Sequence, residues 1–485
     1  MIDYVTNRSL VAELFDTILA TIRPLDRFFR TEEDLVFVRR GIGPETVSER
    51  NLPGFLSAFV EFRFLSDDGE GQNFQRYGLL PGELARAFAN DPRVRSKLPP
   101  LGNYARAPLF TLDWAFIGSP GYHRHDGGIF YDGPELKLSE AGTPHLDEVL
   151  KGFRFKEEAD RVNFLGVLLT ALTMPHWGRG HPFLAINGNK PGVGKSTLAR
   201  VLGVIVEGRE PTTVTWVPDD TEFEKQIATR VEAGDHVILV DNAKTARAIQ
   251  SAVLERCITD SRPNFRRLGS NTAISRPQND LLFCLTMNMT QLGRDLRRRA
   301  LPVNLYLEED VRQVDYPLDD VVGYAIEHRL ELVAELSAMV VRWQDGGGEI
   351  PDNAARHSTS RLWARTIDAI LWFNGLEGFL TNFEASMHAF DPDFDRMREI
   401  CAAHNGQAPA TASEWAELLK DRLMEDRFKD RRGNFKPARS MATIMGTLFK
   451  AYLDASFEVE GRVWRLVQSY PRGPTHSALY HFEEE

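Results

Sequence analysis

The chain has 485 residues, 42% hydrophobic and 26% charged, with a formal net charge of −11. This is globular composition with room for roughly two to four domains, and it excludes a chain that coats nucleic acid by overall positive charge, so any such contact must use local basic patches. The three cysteines, Cys257, Cys284 and Cys401, lie in no CxxC or Cys/His cluster, which argues against a disulfide framework or zinc site and fits a reducing, cytoplasmic setting.

The opening MIDYVTNRSL has no basic segment leading into an apolar core, so no secretory signal is expected. Leu10 to Ile22 predicts a helix and Leu35 to Arg39 a strand. Residues 51–150 are mixed, with loops at PPLGNYARAP and GSPGYHRHDGG and a strand ending in a turn at GIFYDGP. A helix is expected from about Glu157 to Thr173; its apolar run, Phe164 to Met174, is too short to cross a bilayer and stops at Pro175, so no membrane partner is expected. Strands and helices then alternate. Phe183 to Ile186 reads as a strand, Ser196 to Val206 as a helix and Thr212 to Trp216 as strand-like. Glu222 to Glu232 reads as a helix, Val237 to Val240 as an apolar strand and Ala246 to Thr259 as a helix. Leu281 to Thr286 and Val303 to Tyr306 complete the series as strands. Apolar strands between helices predict a parallel sheet covered on both faces. From Asp319 to Cys401 the pattern is helical. Two helices (Ser413 to Leu423, Met441 to Leu453) and strands near Arg462 to Gln468 and Leu479 to Phe482 then suggest a winged helix.

The stretch Gly188-Asn189-Lys190-Pro191-Gly192-Val193-Gly194-Lys195-Ser196-Thr197 follows a strand and opens a helix, the context a phosphate-binding loop requires. Its glycines let backbone N–H groups curl round phosphate, and the helix N-terminus adds a positive partial charge. ATP and Mg²⁺ are the expected cofactors. Lys195 would reach the outer phosphates and Ser196 would offer its hydroxyl to the metal. The usual first glycine falls at Asn189, which is expected to fit through asparagine's tolerance of positive φ.

Val237 to Val240 ends in Asp241, placed by this fold beside the phosphate loop as a Mg²⁺ partner, either direct or through a bound water. Asn242 follows it, where many ATPase motors carry a glutamate; an amide can orient water but cannot take its proton. Asn288, closing Phe283-Cys284-Leu285-Thr286-Met287-Asn288, is placed to hold the attacking water or the outermost phosphate. In the following basic run, Arg298 and Arg299 are candidates for arginines supplied to a neighbouring subunit's nucleotide. Arg361 is a candidate second nucleotide sensor. His123-Arg124-His125-Asp126 resembles a metal fragment, but its flanking glycines favour a turn.

The set NKPGVGKST, ILVDN, LTMN and DLRRR resembles the helicase part of phage- and mobile-element-encoded primase-helicases, which are similar to superfamily-3 helicases of the AAA+ class. The resemblance spans about residues 90–460 and is strongest over 157–310. The Asp241-Asn242 pair fits that family's usual pattern. It implies an α/β fold: a P-loop AAA+ core with a parallel sheet (151–310), preceded by a mixed α+β N-terminal region (1–150) serving as an oligomerisation or DNA-binding collar. A helical lid (311–405) and a winged-helix-like DNA-binding domain (406–485) follow. No primase-polymerase motif is visible in residues 1–150, so a primase or other replication protein is an expected partner.

In superfamily-3 helicases a hairpin just before the sensor strand projects into the pore. By that resemblance Arg266, Arg267, Ser270 and Asn271 would touch single-stranded DNA phosphates. A second basic cluster, Arg427, Lys429, Arg431, Arg432, Lys436 and Arg439, would bind duplex DNA if it is more than a solvated loop. The expected function is an ATP-dependent, ring-forming DNA helicase, a homo-hexamer, replicating a phage or mobile element. The alternatives are a nucleotide-gated initiator or helicase loader, and a defence-system ATPase.

Overall fold

The computed structural model describes all residues except 1, 6–10, 33, 68–72, 139–141, 179, 244–247, 267–272, 277, 289–291, 309–313, 315, 390–391, 431–432, 471–477 and 485. The chain forms two compact units, Met1–Phe383 and Glu384–Glu485.

The first unit opens with a strand, Ile2–Val5, paired in parallel with Phe62–Asp67, and an amphipathic helix, Val11–Ile22. Leu14, Phe15, Ile18, Leu19 and Ile22 recur at helical spacing and are buried. They pack with Phe28, Phe37, Phe55, Phe62 and Phe88 into a core separate from the central sheet. Its strands are short: Phe28–Arg30, Leu35–Arg39 and Gly43–Thr46 form one antiparallel sheet.

The central sheet has five parallel strands, in the spatial order Thr213–Val214, Val237–Ala243, Leu282–Met287, Phe183–Gly188 and Ala300–Leu305. We call these the outer, acid, sensor, phosphate-loop and far-edge strands. Every residue of the last three is buried, as their unbroken apolar runs require between two helical layers. The strand met first in the chain lies inside the sheet, between the two met last. Strand order therefore reverses there, opening a crevice at the carboxyl ends where open α/β sheets bind ligands. The helix Glu158–Leu172, buried nearly all round, covers the sheet; its Asp160 completes a capping box with Glu157. Among the described residues no helix is long and apolar enough to cross a membrane.

Two boundaries differ from expectation for local reasons. The helix predicted from Ala246 begins at Ala252, because Ser251 caps it by accepting from Leu254 N at 3.2 Å. The last strand starts earlier, at Ala300, because it pairs along the whole phosphate-loop strand from Ala300↔Phe183 to Leu305↔Gly188.

The helical stretch also divides differently. Arg329–Asp345 and Arg361–Phe373 belong to the first unit; Trp363 Nε1 donates to Thr170 Oγ1 at 2.8 Å. Met397, Ile400 and Cys401, on the helix Pro392–His404, join Trp415, Phe449 and Phe482 in the core of the second unit. That unit therefore begins well before residue 406. It runs helix, strand (Ala410–Thr411), helix (Ala412–Leu419), short helix (Glu425–Phe428), long helix (Ala438–Ala451), then three strands. Those strands, Ser456–Val459, Arg462–Ser469 and Leu479–Glu484, form an antiparallel sheet with Ala410–Thr411 at its edge.

Candidate active site

The site is built where the phosphate-loop strand ends. The chain turns through Asn189–Gly194 and enters the helix Lys195–Glu207. Gly192 and Gly194 take left-handed backbone angles, φ 82° and 99°, which side-chain-bearing residues rarely adopt. Among the described residues, none of the N–H groups of Gly192, Val193 and Gly194 donates to a backbone carbonyl. Such a concave run of amides at a helix start suits an anion. Gly188 is required for space: a Cβ there would lie 2.5 Å from Val193 Cγ1 and 3.1 Å from Lys195 Nζ. The ammonium of Lys195, a buried residue, lies 3.3 Å from the carbonyl of Lys190. Lys190 itself donates to Glu308 O at 3.0 Å, Pro191 lies in the exposed arm of the loop, and Thr197 falls in the first turn of the helix.

Asn189 is a correction. It is not among the described residues with positive φ. Its side chain instead pairs with the backbone of Leu307, Nδ2 donating to Leu307 O at 2.8 Å and Oδ1 accepting from Leu307 N at 3.1 Å. The amide acts as one more peptide unit, extending the ladder to the far-edge strand past its last backbone pair. The loop is therefore anchored by the asparagine where a glycine is usual.

Opposite the loop, Ser196 Oγ donates to Asp241 Oδ1 at 2.7 Å. The hydroxyl of Thr286 donates to the same carboxylate oxygen. The register of the acid and sensor strands slips between Val240 and Ala243, a β-bulge that re-aims the strand end. Asn242 sits at the bulge with φ 54°, and its N–H donates to Thr286 Oγ1 at 2.7 Å. Its side-chain oxygen accepts from Asn288 Nδ2 at 3.1 Å. Ser196, Asp241, Thr286, Asn242 and Asn288 thus form one hydrogen-bonded chain across three strand ends. Thr286 is the member to which sequence reasoning assigned no role. Its only signal was a lone hydroxyl in an otherwise apolar strand, level with Ile186 of the phosphate-loop strand.

One carboxylate and one hydroxyl, with water and phosphate oxygens free to complete an octahedron, suit Mg²⁺, which is rarely held by an all-protein cage. Among the described residues no group of three or more His, Cys, Asp or Glu side chains is assembled for a metal. In the His-Arg-His-Asp segment, His123 Nε2 lies 2.7 Å from Ser119 O and Asp126 accepts from Leu112 N at 2.7 Å.

The two candidate arginines are not brought to this site within the chain. Arg298 and Arg299 immediately precede the far-edge strand, and Phe183 N donates to Arg299 O at 3.0 Å. They lie at the amino ends of the strands, about 17 Å from the loop by the length of the six-residue strand between. Arg298 pairs with Asp295 at 2.6 Å. Ser358, three residues before Arg361, donates to Arg298 O at 2.7 Å, so the chain enters the Arg361 helix at that same remote end, away from its own phosphate loop.

Arg266 is exposed and closes the first strand of a hairpin, Asn264–Arg266 paired antiparallel with Ala273–Ser275. Arg267, Ser270 and Asn271 lie outside the described residues, as do Arg431 and Arg432. Of the remaining C-terminal cations, Arg427 pairs with Asp393 and Lys429 with Glu425, while Lys436 donates to Arg427 O. Among the described residues, two of the six cations in that cluster are thus paired with carboxylates of their own unit.

Comparison with protein-family profiles finds no match, and neither does comparison with curated proteins. Among solved structures the chain is similar to the C-terminal region of NrS-1 in its apo A form, at 10% identity and a TM-score of 0.46, covering 95% of this chain and 98% of that one. It is also similar to Cch of SCCmec type IV, described as an active helicase, at 12% identity and a TM-score of 0.36, covering 92% and 90%. The JCV helicase matches at 14% identity and a TM-score of 0.26, over 51% of this chain and 64% of that one. Likeness at these scores transfers no residue's role.

Proposed function

We propose that this chain is an ATP-hydrolysing, ring-forming helicase that moves along single-stranded DNA during replication of a phage or mobile element. The observation that carries the enzymatic part is the 2.7 Å contact between Ser196, on the first turn after the phosphate loop, and Asp241 at the exit of the acid strand. Two remote stretches of chain meet there beside Lys195, which is the constellation a Mg²⁺-nucleotide needs.

Each residue then has a task. The amides of Gly192 to Gly194 and the Lys195 ammonium hold phosphate oxygens. Ser196 and Asp241 hold Mg²⁺, whose charge neutralises that of the phosphates when it is bound. Thr286 fixes Asp241 and the bulge at Asn242 together. Asn242 and Asn288 orient the attacking water without accepting its proton. Arg298 and Arg299, remote from the site in their own chain, act on a neighbour's nucleotide, which is why a ring, expected as a hexamer, follows. The hairpin of Arg266 supplies phosphate contacts to DNA, giving affinity without sequence choice.

The test is hydrolysis and strand displacement by the purified chain. ATPase activity stimulated by single-stranded DNA, with unwinding, and both lost in Lys195→Ala, is expected. A hydrolysis rate indifferent to DNA would end the helicase reading. One observation favours a second reading, a slow nucleotide-gated initiator or loader: no carboxylate follows Asp241. ATP-dependent assembly on duplex DNA with no unwinding would select it.

A further inference from the structure

Among the described residues the hairpin proposed to meet DNA is held by three residue pairs, Asn264↔Ser275, Phe265↔Ile274 and Arg266↔Ala273. A two-stranded hairpin is marginal by itself. Its foot is closed by Arg276, whose N–H donates to Pro263 O at 3.1 Å. The side chain of Arg276 does not reach toward solvent. It is 13% exposed, with Nη1 3.0 Å from Asp280 Oδ2. Nη2 donates to Asp235 O at 2.8 Å and lies 3.3 Å from Val231 O.

Those partners lie where two strands begin. Asp235 stands just before the acid strand, and Asp280 just before the sensor strand. Asp280 Oδ2 also lies 3.2 Å from His236 Nδ1, and Leu282 N donates to His236 O at 2.8 Å, so the two strands are bound to each other at this end as well. One guanidinium therefore clamps the hairpin's foot to the two strands whose far ends carry Asp241, Thr286 and Asn288. An ion pair this buried is a poor source of stability, since apolar packing of equal volume does as well. A planar fork that grips three partners in fixed directions is what it adds.

We propose that Arg276 is a positioning residue that couples the nucleotide site to the hairpin, carrying any shift between the acid and sensor strands to bound single-stranded nucleic acid. This rests on the helicase function proposed for the chain. Coupling of this kind is reciprocal: if nucleotide state changes the hairpin's grip on a strand, the strand must change nucleotide affinity by the same factor.

The experiment compares the full chain with Arg276→Lys, which keeps the charge beside Asp280 but cannot grip its partners as a fork. Three quantities are read: basal ATPase rate, its stimulation by oligo-dT, and oligo-dT affinity by fluorescence anisotropy with ADP and with a non-hydrolysable ATP analogue. The wild-type chain is expected to show stimulation and a nucleotide-dependent affinity. Arg276→Lys should keep the basal rate while stimulation and the affinity difference both shrink by about 2- to 30-fold, the range of mutations along a coupling path. Where that variant does not fold, the double variant Arg276→Gln/Asp280→Asn, which removes both buried charges together, must show the same loss. Unchanged stimulation in either variant overturns the proposal, as does loss of the basal rate in step with stimulation, which marks a purely structural role. A wild-type chain that ignores oligo-dT overturns the helicase reading and this coupling with it, an outcome read before any variant is made.

Discussion

The two ends of the central sheet are built from different chemistry. At the carboxyl ends, beside the Lys195 ammonium, the groups are hydroxyls, amides and one carboxylate: Ser196, Thr286, Asn242, Asn288 and Asp241, in a single chain of hydrogen bonds. At the amino ends the groups are charges, buried and held in pairs, although Asp280 Oδ1 and His236 Nε2 have no hydrogen-bond partner among the described residues. Glu207 Oε1 accepts from His236 N and Val237 N at 2.6 and 2.5 Å, its Oε2 lies 3.5 Å from Arg106 Nη1, and Arg276 meets Asp280. Neutral dipoles can turn toward a ligand whose charge changes during reaction. Paired buried charges cannot be rearranged cheaply, because each would be left uncompensated. The sheet thus has a responsive rim and a rigid floor, and substitutions at the two ends should fail in different ways.

The largest effect should come from the rim. Asp241→Asn preserves shape and an acceptor but removes the only carboxylate in the hydrogen-bonded chain. ATP hydrolysis is expected to fall by about 100-fold or more, the usual cost of losing a preorganised electrostatic group. The thermal midpoint should barely move. A variant that hydrolyses ATP at a tenth of the wild-type rate or better would remove Asp241 from the site. On the floor the pattern reverses. The Glu207 side chain is 1% exposed, and Glu207→Ala deprives two backbone N–H groups of their acceptor and leaves the buried Arg106 charge to the carbonyls of Gly234 and Ile42. Unfolding free energy is expected to drop by about 3–5 kcal/mol, read by denaturant titration. Hydrolysis per folded molecule, measured well below the melting range, should change little.

Acid should also act on the floor before the rim. His357 Nε2 lies 3.2 Å from the carbonyl of Ala300, where the far-edge strand begins, and burial pushes its pKa down to about 4. An unfolded histidine binds its proton near pH 6.5. Between those values the unfolded chain holds the extra proton, so stability falls as pH drops from 6.5 toward 4, by up to about 3 kcal/mol. Asp280 moves in the other direction. Burial pushes its carboxyl up, but Arg276 and His236 together outweigh burial and hold it at about 2. Its contribution is present above the unfolded value near 3.9 and is lost only below that. Between these two groups the window from pH 6.5 to 4 belongs to His357, which shares it with His176 and His181, whose pKa values burial also lowers. His357→Gln should lose less stability than wild type across it; parallel curves for the two proteins would refute the assignment.

What could be read in the sequence divides in the same way. Unbroken apolar runs announced the buried parallel strands, and an acid at the end of one, after a glycine-rich turn with Lys195 and Ser196, announced the rim. The floor was invisible. Arg106, Glu207, Asp235, Arg276 and Asp280 are scattered over the chain, and only strand register brings them together. Thr286 was hidden for a related reason: a threonine in a strand is unremarked until the bulge in the acid strand sets Asp241 and Asn242 against its hydroxyl. The N-terminal core was read only in part because its strands are too short for a period of two to emerge, as in Phe28–Arg30. The helix Pro392–His404 continues the preceding helical pattern, yet its Met397, Ile400 and Cys401 belong to one core with Trp415, Phe449 and Phe482, later in the chain, a grouping no local pattern announces.

The smallest predicted effect is the one that most sharpens the account of the rim. Asn189 occupies the place where phosphate loops usually carry glycine, so Asn189→Gly would bring the chain closer to the common motif. If the position needed backbone freedom, that change would be neutral or favourable. The geometry requires the opposite. Asn189 makes two hydrogen bonds to the backbone of Leu307, and glycine would delete both while adding freedom to a loop that must be preformed to bind phosphate. Each bond is worth about 1 kcal/mol net, so nucleotide affinity is expected to weaken by about 3- to 30-fold, read as KM for ATP, with kcat nearly unchanged because the reacting groups are untouched. Asn189→Asp, which keeps an acceptor for Leu307 N but sets a carboxylate against Leu307 O, should weaken affinity further. Tighter nucleotide binding by the glycine variant would show that the loop is held by its glycines alone and that the pairing with Leu307 is incidental.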